Sequence, residues 1–411
     1  MIRKDIMKDS YPGKPRILFI ALAQSTHTHA WVRLLTDYEI NVRVFGIDKT
    51  EAPDNFEFPT YSFTHKYEKN NKSQNIIINS LRRLIKIFSR IFVKKYSLRY
   101  EDIEGRWLSG IINRWKPDII HTLGLDPASF AFYRIKNEFL LSNSFKWVVT
   151  LRGGPEFALK RLLPREAKRI NNVFSSCNQI IADNKINYKL ACKLGLEPSK
   201  LASIGVVPGA GGVDVDELFP LRKELTSKSR TILYPKAYEC PASKALPIFE
   251  ALKISWGKIN PCKIYMTSMM PETRMWFQSL PEYIRKSCFI EDRIQQEELI
   301  NLMATSRILL IPSLSDGIPN TLYEAMAVGA FPIVSPIDTI QSIVSNEKNV
   351  LFARNLYPKE IADALIKAMT DDALVDRAVE RNIELVKKIA NRKLIKLRVI
   401  EYYRSLTSKH E

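Results

Sequence analysis

Short apolar runs of strand length recur through the first half of the chain, separated by segments of helical period, and this alternation restricts the fold more than any other feature. The runs are 16–22, 42–46, 118–122, 147–151 and 179–182, and most spacers between them are long enough for a crossover helix. Strands alternating with helices predict an open parallel sheet with helices on both faces.

The pattern breaks at Pro208-Gly209-Ala210-Gly211-Gly212, where three glycines and a proline suit neither helix nor strand. A second series then begins, with predicted strands at 231–234, 263–267, 288–291, 308–311 and 331–335. A length of 411 residues accommodates two cores of about 200 residues each. The expected organisation is α/β: a doubly wound first domain over 1–212, a second over 213–385, and a charged terminal helix within 386–411 that packs back on the first. Ligands of such sheets bind outside the carboxyl ends of the strands, so two facing units place a site in the cleft between them.

Composition narrows the class. Apolar content of 45% with 26% charged residues is that of a globular protein, without a low-complexity tract or internal repeat. The five cysteines (177, 192, 240, 262 and 288) are scattered and form no Cys-x-x-Cys pair, which fits a reducing cytoplasm. The first residues are charged, and no run reaches the roughly 18 apolar residues of a membrane span. Neither export nor a transmembrane segment is therefore expected. A net charge of +18 leaves nucleic acid, anionic lipid and a phosphorylated substrate open as partners.

The strand at 308–311 runs through Pro312-Ser313-Leu314-Ser315-Asp316-Gly317-Ile318 into a helical segment that starts at Pro319 and stops at Gly329. Proline suits a first helical position and glycine a carboxyl cap. The loop ahead of Pro319 would then offer free backbone N–H groups, which favour an anionic ligand. Asp316 stands in the loop and Glu324 about five residues into the helix, roughly 7 Å along its axis at the standard rise, so the two are too separated for a shared proton. That spacing suits two hydroxyl-bearing parts of one ligand, each held by a carboxylate. Standing alone, such a pair reads more simply as a helix-start charge and a solvated glutamate.

The surrounding residues change that reading. Pro312-Ser313, Asp316, Gly317, Glu324, Ala325, Met326, Ala327, Gly329, Pro332 and Val334 fall in register with the signature of glycosyltransferase family 4, and the stretch resembles those retaining enzymes of the GT-B fold. The resemblance implies that Asp316 touches the donor hexose and Glu324 the ribose hydroxyls. It also implies that Gly317, Ile318, Asn320 and Thr321 complete the donor site. The family more often has glutamate at the first acidic position, so the shorter Asp316 leaves the hexose open.

The similarity extends along the chain. Pro117-Asp118-Ile119-Ile120-His121-Thr122 resembles the family's strand ending in histidine, and 212–220 its Gly-Val-Asp linker. Ser25-Thr26-His27-Thr28-His29-Ala30-Trp31 resembles a first-loop variant. Asp214 and Asp216 lie in that linker and are not expected to bind a metal. Lys236 and Lys244 are placed as the diphosphate clamp, with lysine replacing the usual arginine and a stretched spacing; they would stabilise the departing diphosphate. Two surface lysines are the plainer alternative. Thr150-Leu151-Arg152-Gly153-Gly154-Pro155-Glu156 stands where the family commonly has His-Gly-Ser-Asp, so Arg152 is expected in the catalytic histidine position, with His121 or His27 as alternatives.

From 81 to 99 there are seven basic residues and no acidic one. On a helix the apolar residues form one stripe, as in a helix lying in a membrane surface. A core-packed helix with a solvated basic face has the same pattern, and the membrane reading is preferred only because resembling enzymes often act on lipid-linked acceptors.

The expectation is thus a retaining hexosyltransferase that needs no metal or other cofactor. It would use a UDP- or GDP-sugar donor and a glycan or lipid-linked acceptor, in surface polysaccharide biosynthesis, in the cytoplasm or on the inner membrane face. A nucleic-acid binder lacks any recognisable motif, so no nucleic-acid partner is expected. A sugar-nucleotide epimerase shares the architecture but not the signature. An inactive relative that only binds a partner is the remaining reading, kept open by the altered Lys236 and Arg152 regions.

Overall fold

The computed structural model describes residues 8–47, 57–62, 76–78, 100–142, 144–292 and 294–407. The basic segment 81–99 lies outside them. Strands β1 Arg16–Ala21, β2 Asn41–Gly46, β3 Thr60–Ser62, β4 Ile76–Ile78, β5 Ile119–Leu123, β6 Lys146–Leu151 and β7 Gln179–Ala182 form one parallel sheet in the order 4-3-2-1-5-6-7. Strands β8 Thr231–Tyr234, β9 Lys263–Thr267, β10 Cys288–Glu291, β11 Ile308–Ile311, β12 Phe331–Val334 and β13 Leu351–Phe352 form a second, in the order 10-9-8-11-12-13. Every expected strand is present. The additional β3, β4 and β13 are edge or near-edge strands of two or three residues, too short to carry a periodic pattern.

Alternate residues of each central strand go to opposite sides of the sheet. Leu18, Ile20, Ile120, Val149 and Leu151 pack into one core and Ile17, Phe19, Ile119, Val148 and Ile181 into another. In the second domain, Ile232, Ile308, Leu310 and Ile333 face one side, and Leu233, Leu309, Ile311 and Val334 the other. Both faces are buried, which is why the strands read as unbroken apolar runs.

Each sheet reverses its strand order once, between β1 and β5 and between β8 and β11. Ligand crevices open at these positions, outside the carboxyl ends of the strands. Two chain crossings join the domains. The first is the linker from Pro208, and the second follows the helix Asp372–Ile389, which packs on the second domain through Val379, Ile383 and Val386. They run side by side: Val213 N–H donates to Ala390 O at 2.8 Å and Arg392 N–H to Val213 O at 3.0 Å.

The last helix, Arg392–Thr407, then lies on the first domain, with Ile395, Val399, Ile400, Tyr402 and Tyr403 in its core. Arg392 fixes the start of that helix, donating to Ala210 O of the linker at 2.8 Å and to Ala30 O of the first domain at 2.7 Å. Among the described residues no helix is long and apolar enough to cross a membrane.

Candidate active site

The helix Asn320–Val328 organises the cleft. Pro319 is its N-cap in extended conformation, so the helix starts one residue later than expected, and Gly329 ends it in the left-handed region at φ 83°. A Cβ at Gly329 would also stand 2.9 Å from Arg222 Nε, and that side chain donates to Val328 O at 2.9 Å, placing positive charge at the helix's carboxyl end.

The helix start faces two adjoining cavities. One, of about 310 Å³, is lined by His27, Arg152, Glu156 and Asp183 from the first domain and by Lys236, Asp316 and Gly317–Thr321 from the second. The other, of about 410 Å³, has Glu324 and Gln296 on the second-domain side, with Thr26, His29, Arg33 and Arg392 opposite. Asp316 and Glu324 thus face different cavities, as their spacing along the helix requires.

The charged groups on the second-domain side have defined partners. Lys236 Nζ lies 3.0 Å from Asp316 Oδ2. Burial disfavours its charge, but the Asp316 carboxylate, with Tyr238 and Cys240, outweighs burial and holds its pKa above the ordinary lysine value. Asp316 Oδ1 accepts from its neighbour's N–H, Gly317, at 2.8 Å, so that N–H is already satisfied and a ligand would have to displace the carboxylate to use it. Glu324 is 9% exposed and accepts from Gln296 Nε2 at 2.9 Å; burial pushes its pKa up and the amide partly offsets this.

The domains touch here. A Cβ built on Gly153 would lie 2.2 Å from Gly317 Cα, so the two loops are in backbone contact that only glycine permits. Gly153 N–H donates to Asp183 Oδ2 at 2.8 Å, while Asn184 and Asn187 donate to Asp183 Oδ1 at 2.6 and 2.7 Å. Burial pushes the Asp183 carboxyl up to about 6 despite these donors. Asn320 reaches across to His27: its Oδ1 takes Ala210 N–H at 3.3 Å, which turns the amide nitrogen toward His27 Nδ1 at 3.1 Å. Burial, helped by Arg152 and Lys236, drops the His27 pKa to about 4, so near neutral pH its ring is uncharged, with the proton on Nε2.

The structure therefore brings Arg152, Lys236, Asp316, Gly317, Ile318, Asn320 and Thr321 around one cavity, with Glu324 in the next. Two residues placed by sequence are not brought there. Lys244 lines neither cavity; its Nζ lies 3.4 Å from Glu239, and its backbone is held by Asn355. His121 is buried inside the first domain, where its ring nitrogens meet Tyr403 Oη at 2.6 Å and Thr150 Oγ1 at 2.7 Å. Sequence reasoning passed over Asp183 and Gln296. Asp183 follows β7 directly, which was the available signal; Gln296 opens the helix Gln296–Thr305 beyond β10.

The burial of His121 predicts a pH effect. Its folded pKa falls to about 3 through desolvation and the nearby Arg152 charge, below the ordinary 6.5. A depressed histidine contributes stability above the unfolded value and loses it as pH falls. Stability should drop by about 2 kcal/mol between pH 7 and pH 5 on this account. Thermal unfolding as a function of pH checks it: His121→Asn should be less stable at pH 7 yet lose this part of the acid sensitivity.

Asp214 accepts from Glu217 N–H at 3.4 Å as a helix cap, and Lys393 Nζ lies 3.7 Å from Asp214 and 3.0 Å from Asp216. Among the described residues there is no cluster of three or more metal-ligating side chains.

Residues 278–385, which include Glu324 and Asp316, match the family model described as glycosyl transferases group 1. No curated protein sequence matches the chain. Among solved structures it is similar to a glycosyltransferase from Rickettsia africae, with TM-score 0.64 and 14% identity over 97% of this chain and 100% of that one. It is similar to the sucrose-phosphate synthase of Thermosynechococcus elongatus at TM-score 0.67 and 14% identity, covering 96% and 99%. A third likeness is to Anabaena HepE in complex with UDP-glucose, at TM-score 0.68 and 11% identity, covering 95% and 99%. These likenesses establish the GT-B fold.

Proposed function

We propose that the protein is a retaining glycosyltransferase of family 4 type, which moves a hexose from a nucleotide-sugar to a hydroxyl of a glycan or lipid-linked acceptor. The observation that carries this reading is the distribution of charge along one helix start: a carboxylate paired to a lysine in one cavity, and a second carboxylate steadied by an amide in the next. A nucleotide-sugar has its parts in that order. Glu324 would take the ribose hydroxyls in the 410 Å³ cavity, with Gln296 fixing the orientation of the carboxylate. Lys236 would turn from Asp316 to the diphosphate, and Asp316, released, would accept hydrogen bonds from the sugar.

Chemistry follows from this placement. As the bond from sugar to diphosphate breaks, negative charge grows on the leaving oxygen, and Lys236 stabilises it. Gly317 and Ile318 N–H become donors once Asp316 moves. The acceptor hydroxyl attacks from the first-domain side, on the face of the departing group, and passes its proton to the leaving diphosphate oxygen. Lys236 supplies the positive charge, so the scheme invokes no metal. An acceptor in surface polysaccharide synthesis, and an anionic membrane as a second contact, complete the proposal. The HepE structure holding UDP-glucose on the same fold supports the choice of donor class.

Thermal unfolding with UDP-, GDP- and ADP-sugars tests it. The matching donor should raise the Tm by mass action. Glu324→Ala removes two charge-assisted bonds and should weaken that donor about 100-fold or more, abolishing the shift. A folded protein that no nucleotide-sugar stabilises would point instead to an inactive relative.

A further inference from the structure

Arg152 carries its guanidinium into the 310 Å³ cavity, where it makes no hydrogen bond or ion pair with any described residue, and its Nε is sealed from solvent without a partner. A guanidinium holds five N–H donors in a rigid fork, and leaving them unmatched is costly away from water. The two carboxylates on its own side are turned to other donors. Glu156 accepts from the Leu125 and Asp126 N–H groups, and Asp183 from Gly153, Asn184 and Asn187. Across the cavity Asp316 is taken by Lys236, and the His27 ring is uncharged near neutral pH.

In this cavity one fork faces inward; Glu156 and Asp183 lie near enough to favour its charge, but no oxygen of the described residues is hydrogen-bonded to it. A neutral sugar hydroxyl would fill one donor and leave the rest. A carboxylate or phosphate accepts two parallel bonds from the same fork. We propose that Arg152 is the receptor for an oxyanion of the bound ligand. Two sources carry that chemistry: a carboxylate on the transferred sugar, as in a hexuronic acid, or a phosphate on the acceptor. The choice between the sources rests on the nucleotide-sugar reading; the anion itself does not.

The test uses the full chain. In a first arm without nucleotide, ligand-observed NMR titrations compare free glucuronate, glucose and inorganic phosphate on wild type and Arg152→Gln. Wild type should bind at least one anion about tenfold or more tighter than the variant. In a second arm, calorimetry compares UDP-glucose with UDP-glucuronic acid and GDP-mannose with GDP-mannuronic acid, each pair differing only at C6.

If the sugar carries the anion, one acidic member binds about tenfold or more tighter than its neutral partner. That ratio collapses in Arg152→Gln and is partly kept in Arg152→Lys, which retains the charge but not the fork. If the acceptor carries it, the pairs bind alike, while phosphate binds UDP- or GDP-saturated wild type and not the variant.

Should neither glucuronate nor phosphate distinguish wild type from Arg152→Gln, the proposal is overturned. Arg152→Lys serves the same comparison if Arg152→Gln does not fold. Failure of the nucleotide-sugar reading would show separately, as the absence of any shift in the Glu324 screen.

Discussion

A chain ended after Ala390 is expected to lose its folded first domain while retaining structure in the second. The deletion removes the helix Arg392–Thr407 and with it five side chains, Ile395, Val399, Ile400, Tyr402 and Tyr403, that are each no more than 4% exposed. At about 1.5–3 kcal/mol for each buried apolar side chain, the loss is on the order of 10 kcal/mol. That is comparable with the entire stability of a typical domain.

The polar consequence compounds it. Tyr403 Oη accepts from Trp31 Nε1 at 3.1 Å and meets His121 Nδ1 at 2.6 Å, so its removal strands two buried ring nitrogens. Hydrogen exchange read peptide by peptide checks the result: protection should vanish over β1, β2 and β5 and persist over β8, β11 and β12. Equal protection of both sheets in the truncated chain would show that the helix is an accessory and not part of the first core. Tyr403→Phe, which deletes only the hydroxyl, should cost about 1–3 kcal/mol by the same polar argument.

Gly153→Ala should hold the cleft open. The added methyl carbon would stand 2.2 Å from Gly317 Cα and 3.0 Å from Gly317 N, both backbone atoms that have no rotamer to escape into. The nearby Asn184 Nδ2, at 3.2 Å, hems in the other side. Relief requires the two loops to separate, which pulls Arg152 away from Asp316 and Lys236.

A displacement of an ångström or so at a reacting centre costs roughly 100-fold in rate, so transfer, or slow hydrolysis of the donor, should fall by about that factor. Glu324 and Gln296 both belong to the second domain, and nucleoside diphosphate affinity should change far less. Small-angle scattering with saturating nucleotide should give a larger radius of gyration for the variant than for wild type. An alanine variant with full turnover and unchanged scattering would mean that the glycine contact is not part of the working closed form.

The parts of the site that were legible in sequence are local. Strand β11, the loop through Asp316, the helix carrying Glu324 and its stop at Gly329 form one continuous segment, and each feature rests on a rule acting over a few residues. The helix start shifted by one position because Pro319, with ψ 136°, caps the helix instead of entering it. Lys244 was read into the clamp from the resemblance, at a stretched spacing; the turn around Cys240–Ser243 and the Asn355 bonds direct its backbone elsewhere. His121 stands in the middle of the apolar strand β5, in a pattern that resembles a reactive position. The partner that buries it, Tyr403, lies 282 residues away in the chain.

By itself the sequence determined two parallel sheets, the break between them and the placement of Asp316 and Glu324 on one helix start. Apolar runs, glycine at a left-handed turn and proline at a helix end act through backbone geometry and burial within a few residues, and that information is written contiguously. Tertiary structure alone decided that Gly153 meets Gly317, that Tyr403 of the last helix closes over His121, and that Arg152 faces the cavity with no acceptor of its own. Those facts depend on how two domains and two chain crossings settle against one another, a balance of packing among residues distant in sequence that no local pattern encodes.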